Sequence, residues 1–382
     1  MQQAAQLQDL SNFMEQPAAT FSPSSAHGPN TKMPNLGLLN RFIEDDSIQE
    51  IMVNGLHSIY IDQQGTIVDA GSRFSSHEEL YEVANAIMNS VGQHWEKDRP
   101  MLDTRLPDGS RVNLVGLPMA LDGISMSIRK FPKHKFTLER MAELGQLTPE
   151  LVVFLKHLIG ARLNTVVAGG TSSGKTTVMN ALSAAIGINE RIVTIEDSAE
   201  LRLQQPHVVR LEAKQAMSMD AMHTAVTIRD LVKNALRMRP DRIIVGESRG
   251  PEAFDVLQAM NTGHDGSMTT LHANTPRDAL SRLETMVTLA VPLMPIRLIR
   301  SQIASALHIL IQMNRTKDGQ RRMTHISEIG GMEGETIIMQ DLIMYQEAAG
   351  GQPAGYRWMA GSSRNAVVTE AARAAGYMRG IR

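Results

Sequence analysis

The period of the apolar positions changes several times along this chain, and each change marks an element. Up to about residue 35, Gln, Ala, Ser and Pro dominate and no apolar period emerges, so residues 1–35 read as a disordered leader. Residues 49–53 and 58–62 then alternate as strands do, around the turn signal Asn54-Gly55. Ser76 stands as an N-cap before Leu80, Val83, Ile87 and Met88, whose spacing is helical. Further strand patterns at 111–115 and 124–128 end at Phe131-Pro132. Residues 36–135 therefore predict a small α+β domain.

Residues 136–160 read as a linker and a helix, with Thr148-Pro149-Glu150 as its start. Strand patterns at 165–168, 191–195, 242–246 and 267–271 follow, interleaved with helical ones at 177–186, 228–238 and 252–261. Such alternation predicts an α/β fold, a largely parallel sheet wrapped by helices. Helices at 277–289 and 295–307 and a strand at 308–312 carry this domain, 161–345, to its end. Residues 346–382, with Gly350-Gly351-Gln352-Pro353, read as a C-terminal tail, a loose connection to one short helix. No internal repeat is visible.

Composition narrows the class. Lys+Arg 38 against Asp+Glu 40 leaves a net charge of -2, which gives no global field for nucleic acid, and aromatics at 4% supply no stacking track for single strands. No specific nucleic-acid partner is expected. The absence of cysteine excludes disulfides and thiolate metal sites and fits a cytoplasmic protein. No run of eighteen apolar residues and no signal-peptide pattern occurs, so any membrane role is peripheral. The 25 methionines read as core filler.

The chemistry starts at Gly169, Gly170, Thr171, Ser172, Ser173, Gly174, Lys175 and Thr176, between an apolar strand and a helix. Glycines at both ends let successive amides turn inward around a polyphosphate at a helix N-terminus. Lys175 supplies a charge for the β- and γ-phosphates and Thr176 a hydroxyl for Mg²⁺. Thr177 adds a second hydroxyl in the first turn. The ligands expected are ATP and Mg²⁺.

A strand ending in Gly246-Glu247 offers Glu247 as the base that orients and deprotonates an attacking water. Since Gly246 stands where a metal-holding acid is usual, Glu196 or Asp197, after another strand, is expected to serve Mg²⁺ through water. His264 and His272 are candidates to sense the γ-phosphate; no third ligand accompanies them at a zinc spacing. Among Arg105, Arg111 and Arg129 of the first domain, Arg129 and then Arg111 are expected to neutralise charge in phosphoryl transfer.

Four segments in fixed order, 169–176, 195–201, 237–247 and 262–274, resemble the type II/IV secretion ATPase family, with the strongest likeness to its CpaF-type members, which serve Tad/Flp pili. In family terms these are the Walker A loop, the Asp box, an atypical Walker B and the His box. The resemblance implies a RecA-like P-loop NTPase domain preceded by a smaller PAS-like α+β domain. It also implies a homo-hexamer that works against inner-membrane platform proteins from the cytoplasmic face. It assigns Lys175 and Thr176 to phosphate and Mg²⁺, Glu247 to the attacking water, Glu196 to the metal or its waters, and His264 and His272 to the γ-phosphate. The first-domain arginines would complete the site. The pilus-extension and type II secretion branch carries a four-cysteine zinc module that this cysteine-free chain lacks. Tad pilus assembly is therefore the expected client, with conjugation or type IV secretion as the alternative and a RecA-like nucleic-acid motor as a reading of another class.

Overall fold

The computed structural model describes residues 32–63, 65–95, 100–131, 137–214, 225–349, 353–360, 363 and 365–378. Of the expected leader, residues 1–31 lie outside the described residues. The chain divides into two compact units, Met1–His134 and Lys135–Arg382.

In the first unit a short helix α1 (Asn40–Glu44) precedes β1 (Ile48–Asn54), β2 (Ser58–Gln63), β3 (Thr66–Asp69), α2 (His77–Ser90), β4 (Met101–Arg105), β5 (Arg111–Val115) and β6 (Ser125–Arg129). The strands form one antiparallel sheet in the order β3-β2-β1-β6-β5-β4. Ser76 caps α2 by accepting the Glu79 N–H at 3.3 Å, and the acidic pair Glu78 and Glu79 in the first turn complements the helix dipole. Leu80, Ala84 and Ile87 on α2 and Ile51, Val53, Val112, Leu114 and Met126 on the sheet form one core. Burying each larger side chain stabilises the unit by about 1.5–3 kcal/mol. The two strands without a sequence signal, β3 and β4, are the sheet's edges. Their exposed positions, such as Ile67 and Met101, erase the alternation that marks the inner strands.

The second unit opens with α3 (Leu138–Glu143) and α4 (Pro149–Gly160), capped by the Thr137 and Thr148 hydroxyls. There follow β7 (Thr165–Gly169), α5 (Lys175–Ser183), β8 (Ile192–Glu196), β9 (Val208–Glu212), α6 (Ile228–Ala235), β10 (Arg242–Val245), α7 (Glu252–Asn261), β11 (Met268–Leu271), α8 (Pro276–Ala290) and α9 (Ile296–Ala306). The chain ends in β12 (Ile309–Arg315), β13 (Arg321–Glu333), β14 (Thr336–Gln346), β15 (Gly355–Trp358) and α10 (Ala366–Ala374). All nine strands join one sheet, in the order β15-β14-β13-β12-β7-β11-β10-β8-β9. From β12 to β9 every pairing is parallel, and β13 to β15 add on antiparallel. Strand residues alternate between two cores: Val167 faces α4, α5 and α10, whereas Val166 and Ala168 face the layer of α6 to α9.

Several elements differ from the sequence reading. Helix α5 begins at Lys175, not 177, because Gly174, at φ +94°, turns the chain directly into the first helical residue. β9 was without a signal, since its outer position exposes Arg210 and Glu212. Where the sequence reads as a loose tail, β15 pairs with β14, and Trp358 meets Phe154 edge-on at 5.9 Å while stacking on Tyr377 at 5.8 Å. These aromatics lie far apart in sequence, so no local pattern announces their contact. Among the described residues no helix is long and apolar enough to cross a membrane.

Candidate nucleotide site

The carboxyl ends of β7, β11, β10 and β8 lie side by side, and the loops leaving them hold most of the candidate residues. Gly169 ends β7 and Gly174 caps α5, whose first turn holds no acidic side chain to occupy its positive end. Between them Thr171 and Ser172 are exposed, with Ser172 at φ +56°, and the Ser173 hydroxyl ties the loop by donating to the Gly170 carbonyl at 2.8 Å. Lys175 folds back over the loop and donates to the Gly169 and Gly170 carbonyls at 3.2 and 2.9 Å. Thr176 and Thr177 stand half-buried in the first turn. The loop opens on a cavity of about 600 Å³, walled also by His272, Arg249 and the α8 residues Asp278 and Arg282, which is ample for a polyphosphate.

Glu196 ends β8 with 3% of its surface exposed. One carboxylate oxygen, Oε2, accepts the Glu200 and Leu201 amides at 2.7 and 2.9 Å; the other, Oε1, is buried with no partner. Burial pushes this carboxyl up to about 7, against the two amide bonds that favour its charged form. A Cβ at residue 246 would lie 2.9 Å from Glu196 Cγ. The glycine before Glu247 is thus what lets Glu196 reach across from the adjacent strand, Ile195 being the partner of Val245. β8 thereby places a carboxylate beside position 246, which itself carries none. Magnesium, implied by the nucleotide chemistry, fits this corner: the orphaned Glu196 Oε1 and the Thr176 hydroxyl are the oxygens that would hold it or its waters.

Glu247 is held on one oxygen. Arg249 Nη2 donates to Oε2 at 2.6 Å, and His272 Nε2 lies 2.9 Å from Oε1 without hydrogen-bond alignment. Arg249 also reaches Asp197 Oδ2 at 3.3 Å. The turn carrying Arg249 is fixed by Glu252, whose carboxylate accepts the Arg249 and Gly250 amides at 2.5 and 2.7 Å. His272 follows β11, between the loop strand and the Glu247 strand; burial and the Lys175 charge lower its pKa, so the imidazole is neutral at neutral pH.

His264 does not join this group. It precedes β11 and therefore lies at the amino edge of the sheet, a strand's length of roughly 13–17 Å from the phosphate loop of its own unit. There its ring nitrogen Nδ1 lies 3.2 Å from the Ala259 carbonyl. Of the two histidines expected to sense the γ-phosphate, His272 lines the cavity at the phosphate loop and His264 does not.

Two residues were missed. Arg249 was signalled only by its spacing, a cation two positions after a strand-end glutamate. Gln312 is a lone polar residue in the apolar run 309–313; fully buried on β12, it donates to the Ala273 and Asn274 carbonyls at 3.1 and 3.2 Å and so ties the His272 loop to β12, across the intervening β7.

Within the first unit, Arg105, Arg111 and Arg129 are direct cross-strand partners in one row over β4, β5 and β6. Like charges in such a row repel. Asp103, 4.0 Å from Arg111, and Glu50, the partner of Arg129 on β1, offset part of that repulsion.

The family described as "Type II/IV secretion system protein" matches residues 33–352. A Mycobacterium tuberculosis protein, assigned to conjugal transfer by name only, is 33% identical over 329 residues, covering 84% of this chain and 92% of its own length. The conjugal transfer protein TrbB of Rhizobium radiobacter is 30% identical, covering 76% of this chain and 86% of its own. The type IV secretion system protein VirB11 of Bartonella quintana is 31% identical, with 75% and 90% covered. Among solved structures, the ATPase DotB of Yersinia pseudotuberculosis superposes with a TM-score of 0.58 at 19% identity, over 81% of this chain and 83% of its own. The ADP-bound pilus retraction motor PilT superposes with a TM-score of 0.53 at 20% identity, over 81% and 82%. These two carry the fold, a RecA-like P-loop domain with a domain before it.

Proposed function

The chain belongs to the Type II/IV secretion system protein family and is an ATP hydrolase, and from that premise we propose that it powers a type IV secretion or conjugation machine. The observation that carries the chemistry is the convergence of Lys175, Glu196, Glu247 and His272 on one sheet edge beside the phosphate loop. The backbone amides of 170–176 cradle the phosphates and Lys175 leaves its loop carbonyls for the β- and γ-oxygens. Glu247 orients a water and takes its proton; neutral His272 donates to the terminal phosphate. Magnesium, when bound, screens the phosphate charge, and Thr176 and Glu196 are the side chains that hold it or its waters. The chain works as a homo-hexamer at the cytoplasmic face of the inner membrane, against platform proteins.

The relatives' names support conjugation or type IV secretion over the Tad-type pilus as client. The likeness of the four motifs to CpaF-type members keeps the pilus as the competing outcome. Deleting the gene and scoring DNA transfer beside surface pili separates them: loss of pili with intact transfer refutes the preferred client. For the chemistry, Glu247→Gln is expected to bind ATP with turnover lowered about 10²- to 10⁴-fold. Undiminished turnover removes Glu247 as the base.

A further inference from the structure

The residue proposed as base is not free to act as the structure stands. Arg249 Nη2 holds Glu247 Oε2 at 2.6 Å, a short charge-assisted bond, and a carboxylate so engaged is a weaker acceptor for a water's proton. The same guanidinium has a second acid in reach, Asp197 at 3.3 Å. It also lines the cavity into which the phosphate loop opens, together with Gly170, Thr171, His272 and Arg282. Its side chain is 60% exposed, so it can turn without unpacking a core. The backbone beneath it is pinned by Glu252, which makes the side chain alone the moving part.

We propose that Arg249 is a terminal-phosphate ligand that exchanges Glu247 for the γ-phosphate, so that arrival of a triphosphate uncovers the base. The inference rests on the reading of 169–176 as the phosphate loop and of Glu247 as the base. Its physical content is a competition: a guanidinium takes a γ-phosphoryl group through two parallel donors at least as well as it takes one carboxylate. A diphosphate lacks that group and leaves the Arg249–Glu247 bond in place. ATP and ADP would then be discriminated by a residue of the same chain, and the base would be exposed only when there is something to hydrolyse.

The test is equilibrium binding of ADP and of a non-hydrolysable ATP analogue to the full-length protein. Arg249→Ala is expected to lower the triphosphate-over-diphosphate preference by about tenfold or more with little change in ADP affinity. Arg249→Gln serves the same comparison if Ala disturbs the turn. Glu247→Gln removes the competing carboxylate and is expected to tighten triphosphate binding, a gain that must vanish in the Arg249→Ala/Glu247→Gln double variant. A preference unchanged in both Arg249 variants overturns the proposal, as does a Glu247→Gln gain that survives without Arg249. These binding readouts do not depend on the base assignment, which fails separately if Glu247→Gln retains full turnover.

Discussion

The two edges of the parallel sheet both bury charge, and they treat it in opposite ways. At the amino edge Arg242 is fully buried, and every direction of its guanidinium is used: Nε and Nη2 clasp Glu190 at 2.7 and 2.8 Å, and Nη1 donates to the Ile159 carbonyl at 2.9 Å. Burial opposes the charge on Glu190, yet the bonds and charge of Arg242 outweigh it and hold the carboxyl below its ordinary range. Nearby Asn164 accepts the Gly266 and Ser267 amides and donates to the Met260 and Ala306 carbonyls. At the carboxyl edge, Glu196 and Glu247 each retain a buried oxygen without a hydrogen bond. Buried polar atoms are paired in the great majority of cases. A cluster that leaves them unpaired beside an open phosphate loop is arranged for groups that arrive later, whereas the closed network opposite is arranged for stability.

If that contrast is right, the largest loss of stability comes from the edge with no chemistry. Arg242→Ala leaves the Glu190 carboxylate with the Gly187 amide at 3.0 Å and Arg162 at 3.5 Å, and is expected to cost about 3–5 kcal/mol in chemical denaturation. Replacing both partners by methionine should recover much of this, since two well-packed apolar side chains need no partner. A cost near zero for Arg242→Ala would mean that the amino edge is no clamp, and the comparison would lose one side.

The carboxyl edge should respond with the opposite sign. An unfolded glutamate titrates near 4.5 and Glu196 near 7. Below pH 4.5 both states carry the proton and burial costs nothing through ionisation. Between 4.5 and 7 the folded state binds more protons, so stability falls as pH rises, and above 7 the ligand-free protein carries the full penalty of about 3 kcal/mol. Glu196→Gln is therefore expected to raise the melting temperature of the ligand-free protein at pH 8, with the gain fading toward pH 5, while weakening the dependence of ATP hydrolysis on magnesium. A difference that stays flat from pH 5 to pH 8 would show that Glu196 is not held against its charge.

What could be read in the sequence divides along the same line. The phosphate loop is legible because its mechanism is local: a strand, Gly169 to Thr176 and a helix, all consecutive. Glu196, Glu247 and His272 are legible as strand-end residues, since alternation of strands and helices puts all such ends on one edge. His264 was misplaced because it flanks the same strand as His272 but at the other end, and β11 is only four residues long. The reason for Gly246 was invisible, because the side chain that needs its space comes from β8. The Arg242–Glu190 pair and the Trp358–Tyr377 stack are equally non-local; no periodicity in either partner's segment reports on the other.

The two histidines provide the finest probe of which edge is which. His272 stands 2.9 Å from Glu247, and its neutral imidazole is maintained by burial and by Lys175; His272→Ala is expected to lower turnover at least about tenfold, with ADP affinity little changed. Among the described residues His264 hydrogen-bonds the Ala259 carbonyl at the end of the preceding helix and the Ser267 hydroxyl, which donates to its carbonyl at 2.7 Å, a backbone bond that alanine preserves. His264→Ala should leave turnover within about twofold, an energy difference under about 0.5 kcal/mol. Equal losses from the two variants would mean that nucleotide chemistry reaches the amino edge after all, through a route that the geometry of a single chain does not contain.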